Sequence, residues 1–165
     1  MLAVAPIHLN WASMMLRRVL TIVGAVLCLS LPSEARAQIV VVVNPRNPVR
    51  DLSLEELRRL YLGRTTTFRQ NQPVMLLEQA DTRRAFYRAA LGMNEARVKR
   101  HWIGIVFSGE TAIPPRTIAG VEELKRTVAQ NAGAIGFLDL AAADQSVKVL
   151  TINGLHPGDA AYPLR

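Results

Sequence analysis

The turn from Leu77 into the following helix, Glu78-Gln-Ala-Asp-Thr-Arg83, holds the residues of this chain best suited to binding chemistry. A helix start presents backbone N–H groups with no intrahelical partner and the positive end of the helix dipole, which together hold an anion. Thr82 adds a hydroxyl, and Arg83 and Arg84 add guanidinium groups suited to bidentate oxyanion contact. Asp81 opposes that use. At effective dielectrics of about 80 to 20, a carboxylate a few ångströms from a divalent oxyanion costs on the order of 1–4 kcal/mol. A simpler role for Asp81 is the N-cap of the helix, typically worth about 1 kcal/mol.

No catalytic constellation accompanies this turn. His101 shares a helix with apolar neighbours, and His156 lies in a terminal loop before Pro157. Neither has a carboxylate or serine at a telling spacing, so both read as structural histidines. Asp139 and Asp144 flank an alanine run and read as turn or helix-start acids. There is no glycine-rich nucleotide loop, no histidine–acid metal box and no nucleophile elbow. An enzyme is not expected, and neither is a cofactor or metal.

Several elements must position the turn. Gln38-Ile-Val-Val-Val-Val43 is a continuous β-branched run, read as a strand buried on both faces, as in a parallel sheet covered by helices. Asn44-Pro-Arg-Asn-Pro48 is a turn. Ser53 with Glu56 forms a capping box for a helix with the stripe Leu54, Leu57, Leu60 and Tyr61, stopped at Gly63. Pro73–Leu77 is a second strand. The helix after the turn has Phe86, Ala89 and Ala90 inside and closes at Gly92; Asn94 caps the next, with Val98, Trp102, Ile105 and Val106 inward. Residues 108–120 read as a polar, proline-rich loop, 121–130 as an amphipathic helix, and 134–138 and 147–152 as strands. The expected fold class is α/β with a small mixed sheet flanked by helices. Tyr61, Leu57, Phe86, Trp102, Ile135 and Phe137 are the expected core.

The N-terminal segment reads as a signal peptide over residues 1–37. Met14-Met-Leu-Arg-Arg18 is positive, Val19–Leu31 is almost wholly apolar, and Ala35-Arg-Ala37 supplies the small residues of a cleavage site. The apolar run falls short of the roughly 20 residues that span a bilayer. Residues 1–13 precede the positive segment, as a start codon placed too early would leave them. Cys28 has Leu27 rather than a small residue before it, so it reads as discarded with the leader rather than lipidated. Residues 38–165 then form one domain, cysteine-free, with no stable membrane insertion.

The leader holds three arginines and one glutamate, so 17 basic and 12 acidic residues remain of 20 and 13, a net charge of +5. Most of the basic residues are arginine, scattered without a run or interleaved aromatics. That pattern gives no nucleic-acid surface.

Four motifs carry a resemblance: Tyr61-Leu-Gly-Arg64, His101-Trp-Ile-Gly-Ile-Val-Phe-Ser-Gly109, Asn131-Ala-Gly-Ala-Ile-Gly-Phe137 and Tyr162-Pro-Leu-Arg165. In order and spacing the chain from Ile39 to Arg165 resembles the phosphate-binding components of ABC transporters, as a short, one-lobe relative with a periplasmic-binding-protein-like domain. The resemblance implies a periplasmic protein that contacts phosphate or another small oxyanion and works with an ABC permease. It places the ligand turn at Ala80, Asp81, Thr82 and Arg83. Thr82 keeps the threonine of the family's Ser-Gly-Thr signature, whereas Ala80 replaces its serine and Asp81 its glycine. Larger relatives also place an arginine ahead of this turn, where Met75, Leu76 and Leu77 stand, and close two lobes on the ligand. Binding by one lobe is therefore expected to be weak. The alternative is a binding lobe reused as an interaction module, docking to an envelope protein through its arginines and the Ser108–Arg116 loop.

Overall fold

Five consecutive branched aliphatic residues form β1 (Ile39–Val43), and every one is buried. Successive side chains of a strand point to opposite faces. Accordingly Ile39, Val41 and Val43 join one apolar cluster, and Val40 and Val42 join a second. A computed structural model describes residues 38–68 and 71–165 of the chain; the leader reading, Cys28 and residues 1–13 fall outside these described residues.

The elements after β1 run β2 (Asp51–Leu52), α1 (Leu54–Tyr61), β3 (Met75–Gln79), α2 (Ala80–Phe86), α3 (Glu95–Phe107), β4 (Arg116–Ile118), α4 (Val121–Gln130), β5 (Ala134–Asp139), β6 (Lys148–Val149) and β7 (Thr151–Ile152). The main sheet has the order β4-β3-β5-β1-β6, and β2 pairs with β7 in a separate two-stranded ribbon. β3 is parallel to both β4 and β5, while β1 is antiparallel to β5 and β6. The sheet is therefore mixed, and β1 does not sit in a parallel arrangement. Its unbroken hydrophobicity reflects cover on both faces, which says nothing about the direction of its neighbours.

Helix α1 begins with the expected capping box. The Ser53 hydroxyl accepts from the Glu56 amide at 3.1 Å, and the Glu56 carboxylate accepts from the Ser53 amide at 2.8 Å. It ends at Gly63, whose φ of +70° is a left-handed conformation. A Cβ there would also lie 2.8 Å from the Trp102 ring, so glycine serves both the turn and the packing. Helix α2 runs on into a π-helical turn over Tyr87–Leu91, stopped by Gly92 at φ +66°. The Asn94 side chain caps α3 by accepting from the Arg97 amide at 2.9 Å.

One face of the sheet is covered by α1, α2 and α3. Phe86 stacks on Phe137 with centroids 3.8 Å apart, and the Tyr61 ring meets Phe86 edge-on at 4.8 Å. Leu57, Ile135 and Trp102 complete the expected core. The other face is covered by α4 through Leu124 and Val128. The turn after β1 ties that helix down: the Asn44 side-chain amide donates to the carbonyls of Val128 and Ala129 at 2.9 and 2.7 Å.

Four expectations need correction. Strand β3 extends over Met75–Gln79 rather than Pro73–Leu77, because polar Glu78 and Gln79 continue its pairing with β4. The proline-rich loop contains β4, a three-residue edge strand in which only Ile118 is buried, too short to show a period. The run 147–152 divides at Leu150 into β6, which pairs with β1, and β7, which pairs with β2. Val106 is exposed, since α3 turns only Val98, Trp102 and Ile105 inward.

Trp102→Ala is expected to cost about 3–5 kcal/mol, the range for truncating a large buried aromatic. Gly63→Ala should cost at least about 1 kcal/mol from the left-handed backbone alone. Denaturant midpoints check both; an unchanged midpoint for Trp102→Ala would show that the indole is not a core group.

Candidate functional site at the β3–α2 corner

Strand β3 passes into α2 with no connecting loop, so the chain turns between Gln79 and Ala80. Gln79 is the N-cap residue, held extended by pairing with Ile118, and its side chain makes no capping bond. Asp81 is therefore not the cap. It lies one residue inside the helix, where its carboxylate accepts from the Gln79 side-chain amide at 3.3 Å. The strand's pairing continues two residues beyond Leu77, and this moves the helix start ahead of the aspartate.

The four residues of the expected site stand together in the first turn of α2, with different surroundings. Ala80 and Asp81 are exposed. The Thr82 hydroxyl is buried and has no hydrogen-bond partner. Arg83 is half-buried and bridges two carboxylates, at 3.0 Å to Glu78 Oε1 and 3.1 Å to Glu95 Oε1.

Glu78 is the hub of this corner. It is only 6% exposed and accepts from three side chains: Arg83, the Thr117 hydroxyl at 2.9 Å and the Tyr87 hydroxyl. Burying a carboxylate is costly unless donors surround it, and this one has a donor from each of three elements. The hydrogen bonds to Glu78 and then to Glu95 raise the Arg83 pKa, so the guanidinium stays charged. Burial, and next the bond to Glu78, lift the Tyr87 phenol well above its ordinary range. Sequence reading missed Glu78, Tyr87, Glu95 and Thr117 as a group. The one available signal was an acid directly following the apolar run Met75–Leu77.

Beside the hub opens a groove of about 560 Å³, with Glu78, Arg83 and Tyr87 at its polar end and Trp102, Phe107 and Pro114 among its apolar walls. Among its lining groups Phe107 is 86% exposed, and Ile113, which lines a different cavity beside Pro114, is 80% exposed. His101 Nε2 donates to the Leu62 carbonyl at 2.8 Å. Among the described residues no group of three histidine, cysteine or acidic side chains could hold a metal ion. Among them, too, no helix is long and apolar enough to cross a membrane.

No protein-family profile matches the sequence, and neither does any curated protein. Solved structures do match the fold. A phosphate ABC transporter substrate-binding protein from Clostridium perfringens with bound phosphate shares 22% identity at TM-score 0.59, over 72% of this chain and 46% of its own. An ABC-type phosphate transport receptor from Vibrio cholerae shares 21% at 0.50, over 73% and 48%. PstS from Borrelia burgdorferi shares 11% at 0.61, over 77% and 53%. The chain thus spans about half the length of each of these proteins. The class defined by this likeness is one of fold: a single α/β lobe of the periplasmic-binding-protein type, with a mixed sheet between helices.

The three tyrosines of the chain give this packing a pH signature. Burial raises Tyr61 and Tyr87 well above the ordinary phenol range and pushes Tyr162 up to about 12. A phenol whose folded pKa exceeds its unfolded value contributes stability that is intact below a pH of about 10 and lost as pH rises through the folded values. The folded protein is therefore expected to show almost no tyrosinate absorption at a pH of about 10. All three phenols should ionise together with alkaline unfolding. A third or more of the signal appearing before unfolding would contradict it.

Proposed function

We propose that this chain is a periplasmic solute-binding-like protein related to the phosphate-binding components of ABC transporters, and that its ligand is phosphate or another small oxyanion, held weakly. The binding turn is Ala80, Asp81, Thr82 and Arg83. The observation that carries this reading is the Thr82 hydroxyl, buried without a partner at a helix start and directly before a half-buried arginine. Backbone amides of the first turn, this hydroxyl and Arg83 would supply the donors.

Two features make the binding weak. Arg83 must exchange Glu78 or Glu95 for the ligand, and Asp81 adds a like charge to any anion in the same turn. The chain works without a cofactor and without catalysis, with an ABC permease as its partner. It reaches the periplasm through the leader at residues 1–37.

Added phosphate or sulfate is expected to raise the melting temperature, since a ligand that binds only the folded state stabilises it by RT ln(1 + [L]/Kd), about 2.7 kcal/mol at a 100-fold excess over Kd. Arg83→Ala should abolish the shift and Asp81→Gly should enlarge it. Because Asp81 is not the cap, the second variant loses helix propensity, a favourable dipole contact and the long bond from the Gln79 side chain, together on the order of 1–2 kcal/mol in the unliganded protein. A melt unmoved by millimolar anions beyond an ionic-strength control would refute the reading. Export has its own check. Intact mass of protein from the envelope fraction should place the N-terminus near Gln38, with no lipid; a retained leader or a lipidated Cys28 would count against it.

A second reading rests on two highly exposed apolar side chains, Phe107 at the end of α3 and Ile113 in the loop after it. In it the lobe is an interaction module that docks to an envelope protein through the Ser108–Arg116 loop. That reading takes first place if the melts show no anion effect.

A further inference from the structure

The opposite edge of the main sheet carries cations that the β3–α2 corner does not use. Lys148 lies on β6, at the far side of the sheet from β4. Arg50 directly precedes β2, where its carbonyl accepts from the Thr151 amide at 3.1 Å. With His156 these residues line an open cavity of about 600 Å³, closed further by Pro45, Leu140 and Thr151.

No aspartate or glutamate lines this cavity. Of the acids near its lining residues in sequence, Asp139 accepts from the Ala141 amide at 3.0 Å, and two others are likewise committed. Asp51 accepts from the Thr151 hydroxyl at 2.6 Å and the Gly154 amide at 2.8 Å, and Asp159 accepts from the His156 amide at 2.6 Å. The Lys148 ammonium donates to the Asn47 carbonyl, which leaves two of its three N–H groups. Neither Arg50 nor Lys148 has an ion-pair partner among the described residues. Burial and then the charge of Arg50 lower the Lys148 pKa, as mutual repulsion of two like charges does. An anion placed between them would convert that repulsion into two attractive contacts.

We propose that Arg50, Lys148 and His156 form a second anion site, one that takes a phosphoryl oxyanion. Donors on a β6 side chain, on the residue before β2 and on the C-terminal loop approach from different parts of the chain. Such an arrangement suits a tetrahedral group with several oxygens better than a planar carboxylate. The same group could come from free phosphate or from the headgroup of an anionic phospholipid. The exposed Leu140 on the cavity wall is compatible with either. This assignment is independent of the reading given to Thr82 and Arg83.

The test is an amide-resolved NMR titration with inorganic phosphate, run in parallel with sedimentation on vesicles of phosphatidylglycerol and on phosphatidylcholine controls. Wild type is compared with Lys148→Gln, Arg50→Gln and Arg83→Ala. Phosphate is expected to shift the amides of Val149, Leu150 and Thr151, and each glutamine substitution should raise Kd by about tenfold, the loss of one charge-assisted hydrogen bond. Arg83→Ala should leave these shifts in place while removing any at residues 80–83, so the two sites succeed or fail separately. Sedimentation with phosphatidylglycerol alone that is lost in both glutamine variants supports the site with the lipid headgroup as its source. Unchanged melting of Arg50→Gln guards against a folding defect. Phosphate shifts confined to residues 80–83, or vesicle and phosphate binding indifferent to both glutamine substitutions, would overturn the proposal.

Discussion

Strand β1 is the element on which both layers of this fold depend. It hydrogen-bonds on both sides, to β5 and to β6, and its alternating side chains serve two separate apolar clusters. The helices on one face meet Ile39, Val41 and Val43, and α4 on the other face packs over the cluster that holds Val40 and Val42. A polar residue at any of these five positions would leave an unpaired group in one core or the other. The turn that follows β1 extends this control, since Asn44 and Asn47 hold the carbonyls at the end of α4 and in the turn beyond it. Helix α4 is thus fixed at its C-terminus by the strand beneath it.

The β3–α2 corner follows a different logic, in which electrostatics is settled within the protein. Glu78 is a buried anion that already occupies the donors of Arg83, Tyr87 and Thr117. Such a cluster is well ordered because removing one partner leaves a charge poorly compensated. It also means that Arg83 is not a free guanidinium waiting in solvent. The far edge of the sheet shows the reverse condition, with Arg50 and Lys148 lining one cavity that no carboxylate lines. The two ends of the sheet therefore differ less in their charged residues than in whether those charges are already neutralised.

The elements with a strong local code were legible in the sequence. The Ser53–Glu56 box, the Asn94 cap and the stops at Gly63 and Gly92 depend on neighbours three or four residues away, and each stands where its code places it. The core aromatics were equally readable, because Tyr61, Phe86, Trp102 and Phe137 sit at helical or strand spacing. What escaped depends on residues distant in sequence. Glu78 looks like the end of a strand until Arg83, Tyr87 and Thr117 surround it, and Thr117 arrives from an edge strand hidden behind two prolines. The cap assignment to Asp81 failed for a related reason: pairing with Ile118 keeps Gln79 extended and starts the helix early. Strand direction was also beyond local reading, since the same valine run would serve a parallel or an antiparallel neighbour.

The place of β1 in the chain has a consequence for the order in which the fold can be assembled. β1 is the first strand among the described residues, yet its partners β5 and β6 come much later in the sequence, as does Leu164, whose carbonyl accepts from the Ile39 amide. Contacts so distant in sequence form slowly, because the loop they close must be ordered before the pairing offsets that cost. A growing chain therefore carries an apolar strand without its sheet partners until β5 and β6 have been synthesised. During that interval the segment Ile39–Val43 is the region most exposed to mispairing with another unfinished copy.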